Sequence, residues 1–399
     1  SRIASTIHRV EMTGVVVDLD EFETTATDVE TRTSTLETEL TALASAAGMP
    51  VFSATNDNHI RELLYERLKL PGHKFTNKAK LIAVDRESLE SLDHDVARLL
   101  LEHSKWDKLR STYVRGLRDY LRPLGDGDGG ARLGWLPWHI NPLGTRTGRR
   151  SSENPNSQNW PASAKNIVRS RWPEGRLVVV DYARLEPVLL AWIAGDERLF
   201  RAFTTGRGYI DVAAGLFGKD VEEGTREYKA AKAIVLGTNY NMQAPKLSRE
   251  LTAKLGVPVS ISEAGALRTS YLRVFDGVRR YMDARIEELR DTGQVVSATG
   301  RIRHLPHIGT GTPGWDHLVN QAINFPIQSL ASDVTGAALV DLEGALLAEA
   351  GIELVNHHKA LATAFWSLTN GGGYEIIQAM GEYPLICNEV HDEILCDAP

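Results

Sequence analysis

The chain has 399 residues, of which 45 are basic and 52 acidic, for a net charge of −7. With 42% hydrophobic and 24% charged residues it is of ordinary globular composition, which excludes disordered and fibrous classes. No run of about 18 uncharged apolar residues is present to span a membrane, and only two cysteines point to a reducing compartment rather than a disulfide scaffold.

The start, Ser1-Arg2-Ile3, has neither an apolar signal core nor an initiator Met and reads as a processed or excised fragment. Residues 26–48, 58–69 and 87–120 have helical character, with Lys105, Lys108, Arg110, Arg115 and Arg118 interleaved in the last. Residues 124–130 read as a turn or loop, and 139–163 as irregular backbone. Arg176 to Asp181 is a short apolar run, expected to be a buried strand ending in a carboxylate, with a helix over 186–193. Helices are expected within 225–253 and 261–291, and over 328–350; Leu385 to Cys396 reads as a hairpin. Helices in runs with a small sheet make an α+β protein, not a βαβ alternation. Charge is uneven: net −6 over residues 1–100, +7 over 101–180 and −8 over 181–399. A basic block in an acidic chain is the footprint of a local polyanion site.

Three segments carry the chemistry. Asp181 follows Val178-Val179-Val180 and could face a cleft, although alone it reads first as a helix N-cap. In Val390-His391-Asp392-Glu393, a turn at His391-Asp392 would pair Val390 with Glu393 and Cys387 with Cys396, and alone it reads as a polar hairpin tip. Together, two carboxylates on strand ends suit a pair of divalent ions, which take hard oxygen ligands and serve phosphoryl transfer. On a helix over 226–241, Lys229, Leu236 and Tyr240 fall close to one line, with Lys232 about 60° away. That face suits a nucleotide, phosphates at the lysines and base at the apolar end; alone it reads as an amphipathic helix with solvated lysines.

These residues resemble family A DNA polymerases, the DNA polymerase I type, and look closest to bacteriophage members. Asp181-Tyr182-Ala183-Arg184-Leu185-Glu186 resembles motif A, Lys232 through Tyr240 motif B, and Val390-His391-Asp392-Glu393 motif C. Residues 147–152 and Asn154 to Pro161 resemble the template- and primer-contacting segment before motif A. Gly300-Arg301, Asn324 to Gln328 and Lys108 to Tyr113 resemble further blocks, all in the family's order.

The resemblance implies a right-hand fold: palm entry at 1–35, thumb at 36–130, palm at 131–195, fingers at 196–310, and palm again at 311–399. It implies a template-directed DNA polymerase adding deoxynucleotides to a primer 3′-hydroxyl with release of pyrophosphate. Asp181 and Asp392 would be the catalytic metal-binding pair, with the Tyr182 carbonyl as a further ligand, for two Mg²⁺ ions that Mn²⁺ could replace. Glu393 would assist near the metals. Glu186 would gate against a ribose 2′-hydroxyl, Lys232 would bind the triphosphate and protonate the leaving group, and Tyr240 would stack near the template. Lys229, Leu236 and Tyr182 would complete the nucleotide site. Arg149, Asn156, Asn159, Gln328, Asn324, His391 and Arg301 would contact DNA. Expected partners are primer–template DNA and deoxynucleoside triphosphates, with a processivity factor or separate exonuclease as open additions. A monomer in the cytoplasm, that of a bacterial host if phage-encoded, is expected, with no proofreading exonuclease in this chain.

The sequence also departs from the family. Tyr228 stands where Arg is usual four residues before Lys232, leaving Lys229 or Arg226 to supply charge. Leu236 replaces a Phe or Tyr, Asn241 and Ser329 replace glycines, Glu389 replaces a Gln, and Pro187 stands where Arg is usual. Between Gln328 and His391 the chain is longer than usual by roughly thirty residues, an insertion at about 350–383 expected on the palm surface. The chain ends just after motif C, where family members continue with a helix and a strand: it reads either as an excised fragment or as a chain whose support there comes from elsewhere. A single-subunit RNA polymerase shares the fold and both aspartates, but Glu186 argues against it. A non-catalytic duplex-binding paralogue would not need Asp181, Asp392 and Lys232.

Overall fold

The helix Leu19–Ala46 begins where Asp18 accepts hydrogen bonds from the Asp20 and Glu21 amides, satisfying donors that the first turn cannot. Phe22, Ala26, Val29, Thr33, Leu36, Leu40 and Ala44 then recur every three or four residues and are its buried stripe. In this computed structural model, residues 2–72, 75–76, 81–126, 130–158, 160, 165–218, 220–306, 309–370, 376, 380, 383–390 and 393–399 are described.

Two antiparallel sheets organise the chain. Four strands run in the order Arg122–Asp126, Arg132–Leu136, Val15–Asp18, Val168–Arg169. Three run in the order Leu385–Val390, Glu393–Ala398, Arg176–Asp181. One core joins the first sheet to the hairpin through Val15, Leu136, Trp138 and Ile394. A second lies between Leu40 and Leu100, and a third between Leu190 and Ile327, built by helices. Among the described residues no helix is long and apolar enough to cross a membrane. The mixture is α+β, as expected.

Several expectations are corrected. Val178, Val179 and Val180 are not buried but 45%, 55% and 52% exposed: their side chains project from the two faces of the strand, and neither face is covered there, unlike the other edge strand, Leu385–Val390. Cys387 does not face Cys396: a bulge between Ile386 and Asn388 sets Ile386 opposite Cys396. Both cysteines are free and buried, and burial pushes their thiols up, to about 12 and about 11. The helix expected at 328–350 begins at Trp315 and continues to Glu349 through Pro326. Pro326 has no N–H to offer the Ala322 carbonyl; at the next carbonyl along, that of Ile323, Tyr281 donates its hydroxyl at 2.9 Å.

The long stretch before motif C holds a helix, Leu354–Thr369, packed against Arg2–Thr13. Its Phe365 meets Trp135 edge-on at 5.6 Å, and its His357 lies beside the buried Arg9–Glu343 ion pair.

Candidate functional site

Asp181 closes the strand Arg176–Asp181 and lies directly opposite Glu393, the first residue of Glu393–Ala398. The hairpin pairs Val390 with Glu393, as expected; His391 and Asp392 lie between them, outside the described residues. Asp181, Glu393 and the Tyr182 carbonyl are hard oxygen donors on neighbouring strand ends, a set whose chemistry fits a divalent ion. Lys165 already brings a cation here, its Nζ 3.0 Å from Glu393 Oε1.

The other end of the return strand is anchored. Arg171, fully buried, donates from Nε to Asp397 at 2.8 Å, while Ser170 Oγ donates to the same carboxylate at 2.5 Å. This fixes the strand carrying Glu393 against the segment leading into motif A.

Motif A continues into the helix Leu185–Ile193. Pro187 falls in its first turn, where no intrahelical donor is lost, so the departure costs the helix nothing. Glu186 lines a cleft with Leu236, Asn239, Tyr240 and Ile327. The expected sugar gate, apolar residue and aromatic ring therefore meet at one end of the helix Arg226–Asn239. At its other end Lys229 and Lys232 are exposed, and Lys232 Nζ sits 5.7 Å from the Tyr209 ring centre. Burial, then neighbouring Tyr228, pushes the Tyr209 phenol up to about 12, so it stays protonated beside that cation.

Asn241 follows motif B with φ 57, a left-handed conformation that Asn tolerates better than most residues. Its amide donates to Asn320 and accepts from Arg268, both at 2.9 Å. This accounts for Asn in place of glycine.

The segment before motif A is held from three directions. Arg149 donates to Glu186. Arg150 donates to the Glu389 carboxylate from two nitrogens and to Thr335 Oγ1 at 2.9 Å. Arg301 packs over Gly148, where an added Cβ would stand 2.6 Å from the guanidinium carbon; it donates to Ser329 at 3.0 Å and Asp333 at 2.7 Å. Ser329 and Glu389, two of the departures, thus have partners.

The remaining expected DNA contacts divide. Gln328 and Asn324 lie half-buried on Trp315–Glu349, and among the described residues the buried Asn324 Oδ1 has no hydrogen-bond partner. Asn156 Oδ1 is engaged locally by the Gln158 amide at 2.9 Å. Asn159 lies outside the described residues. In the basic block, Arg110 pairs with Glu37 and Asp107, and Arg118 with Glu23. Lys105 and Lys108 instead line an open groove that Trp160 also borders. Glu37, His103 and Asp107 cluster within metal-ligand reach of one another, but Arg110 already donates to both carboxylates. Sequence reasoning missed Lys165 and Asp333; their partners Glu393 and Arg301 are distant in the chain and leave no local pattern.

The profile of DNA polymerase family A matches residues 19–399. DNA polymerase I, thermostable, of Thermus aquaticus is 31% identical over 350 residues, which cover 85% of this chain and 40% of that protein. DNA polymerase I of Streptococcus pneumoniae is 28% identical over 410 residues, covering all of this chain and 41% of that protein. The chain thus spans well under half the length of these relatives. Among solved structures, the POL domain of Pol1 from M. smegmatis, in complex with DNA primer–template and dNTP, superposes with a TM-score of 0.78 at 23% identity. It matches over all of this chain and 63% of that one. The fold is therefore that of a polymerase domain, and the chain belongs to DNA polymerase family A.

Proposed function

We propose that this chain is a template-directed DNA polymerase, extending a primer 3′-hydroxyl with deoxynucleotides and releasing pyrophosphate. The observation that carries the reading is the antiparallel register of Asp181 against Glu393, which sets the motif A carboxylate beside motif C. Asp181, Asp392 and the Tyr182 carbonyl would hold two divalent ions, Mg²⁺ with Mn²⁺ as substitute. Bound there, such ions supply charge stabilisation for the attacking and leaving oxygens.

The chain's own residues do the rest by placement. Lys229 and Lys232 take the triphosphate, and Lys232 delivers a proton to the leaving pyrophosphate. Leu236 and Tyr240 flank sugar and base, and Glu186 occupies the space a 2′-hydroxyl would need. Arg149, Arg301, Gln328, Asn324, Asn156, Asn159 and His391 meet the duplex and primer end. Minor-groove acceptors are largely common to all pairs, so contact there tests shape without reading sequence.

The chain would divide into palm, thumb, palm, fingers and palm at 1–35, 36–130, 131–195, 196–310 and 311–399; separate helical cores around Leu40–Leu100 and Leu190–Ile327 favour a thumb and a fingers unit, although the second core reaches past both fingers bounds. The phage affiliation, monomeric state and host-cytoplasm setting rest on sequence likeness alone. Primer extension on a long template, with deoxy- or ribonucleotides and a divalent metal, tests the reading. Templated deoxynucleotide addition is expected; primer-independent ribonucleotide synthesis would overturn the reading in favour of RNA polymerase activity on the same fold.

A further inference from the structure

Four arginines have a buried Nε with no hydrogen-bond partner among the described residues: Arg110, Arg268, Arg285 and Arg303. Two of them sit against counter-charges, Arg110 on Glu37 and Asp107, and Arg285 on Glu288. Arg268 and Arg303 differ. Both are half-buried, and among the described residues neither has a carboxylate at ion-pair distance; burial pulls both below the ordinary arginine value, with Arg146 adding to the effect at Arg303. Each is held instead by a neutral amide. Arg268, on the helix Ile261–Val274, donates to Asn241 Oδ1 at 2.9 Å. Arg303, on the strand Ile302–His304, donates to Gln321 Oε1 at 2.5 Å and lies over the Phe325 ring, 5.8 Å from its centre.

The two arrangements meet on one helix. Asn241 donates its amide to Asn320 Oδ1 at 2.9 Å, and Asn320 and Gln321 are consecutive residues of Trp315–Glu349. Neighbouring helical residues point about 100° apart, so one guanidinium is tied to each side of that helix. Desolvating a positive charge without a counter-charge costs free energy, and an amide fixes a guanidinium without neutralising it. Two such charges on one helix are a site for a polyanion, whose phosphate oxygens match the planar fork. The position names the polyanion. Gln321 lies on one helical row with Asn324 and Gln328, both duplex contacts in the reading above, and Asn241 directly follows Tyr240, placed there near the template. The triphosphate is taken at the opposite end of Arg226–Asn239, by Lys229 and Lys232, so the phosphates left to bind are those of a strand.

We propose that Arg268 and Arg303 bind phosphates of the unpaired template strand just beyond the templating base, held in place by Asn241, Asn320 and Gln321. This rests on the polymerase reading above and adds the site that takes the incoming template.

The test is equilibrium binding of the full chain to primer–templates of one duplex length, blunt or with a template 5′ overhang of a few nucleotides, over a series of salt concentrations. Wild type is expected to prefer the overhang. Arg268→Ala and Arg303→Ala should each weaken overhang binding about tenfold and flatten its log–log salt slope by about 0.7, while blunt-duplex affinity stays as in wild type. Arg268→Lys and Arg303→Lys should keep the slope. Uncharged methylphosphonates in the overhang should cost wild type the same affinity and the Ala variants much less. Overhang binding by both Ala variants with the wild-type affinity and slope overturns the inference and leaves the polymerase reading standing, and so does an equal loss on blunt DNA. A wild type that binds no primer–template overturns both.

Discussion

The guanidinium of Arg149 donates to the carboxylate of Glu186. A residue expected on the primer duplex thus holds the residue expected to inspect the sugar, so the two tasks share one ion pair. Glu186→Ala should lower the preference for deoxy- over ribonucleotides, measured as the ratio of kcat/KM values, by at least about tenfold. Arg149→Ala should lower the same ratio by less, because Glu186 remains but loses its anchor. An unchanged ratio in Glu186→Ala would remove Glu186 from the gate.

The Arg150–Glu389 pair ties the pre-motif A segment to the strand that leads into motif C. Its side chains are only 4% and 2% exposed. Removing one partner strands a buried charge, and Glu389→Ala should destabilise the fold by about 3–5 kcal/mol in urea unfolding. Replacing both by Met should come close to wild-type stability, since desolvating the pair offsets most of its attraction. Equal losses in the single and double variants would contradict this.

His357 supplies a pH signature. Burial depresses its imidazole to about 4, while Glu343 pulls the other way and Arg9 and His358 add to the depression; Tyr383 hydrogen-bonds it at 2.9 Å. Between about 6.5, the ordinary value, and about 4, the unfolded chain takes up a proton that the folded chain refuses. This contribution to stability is thus complete above the upper value and declines as pH falls through the window. His357→Gln should flatten the dependence of the unfolding midpoint on pH there; an unaltered slope would place the acid sensitivity elsewhere.

Charge in the basic block is partly neutralised from within, which sharpens what salt should do. Primer–template affinity should fall steeply with salt, the log–log slope reflecting about 0.9 per phosphate neutralised. Lys105→Ala and Lys108→Ala, at the open groove, should each flatten that slope by about this amount. Arg118→Ala, whose guanidinium rests on Glu23, should leave it nearly unchanged. A slope equally sensitive to all three would reject this division.

What the sequence made readable is what local pattern encodes. Periodicity located Arg226–Asn239 and its two-ended face, and alternation with a two-residue gap located the hairpin pairing Val390 with Glu393. Long-range placement was not readable. An apolar run such as Val178-Val179-Val180 looks the same whether its faces are covered or bare, because exposure depends on what distant segments pack on the sheet. The bulge at Cys387 shifts register without a glycine to announce it. Arg150 and Glu389 are separated by 239 positions, so Glu389 read as an unexplained departure until its partner was beside it.

The central claim is that the motif A and motif C carboxylates perform the chemistry. The most direct measurement is single-turnover incorporation by Asp181→Asn and Asp392→Asn, alongside primer–template binding by the same proteins. The account predicts that each variant binds primer–template as wild type does and incorporates no nucleotide on the timescale of the wild-type reaction. Incorporation at the wild-type rate by either variant would contradict it.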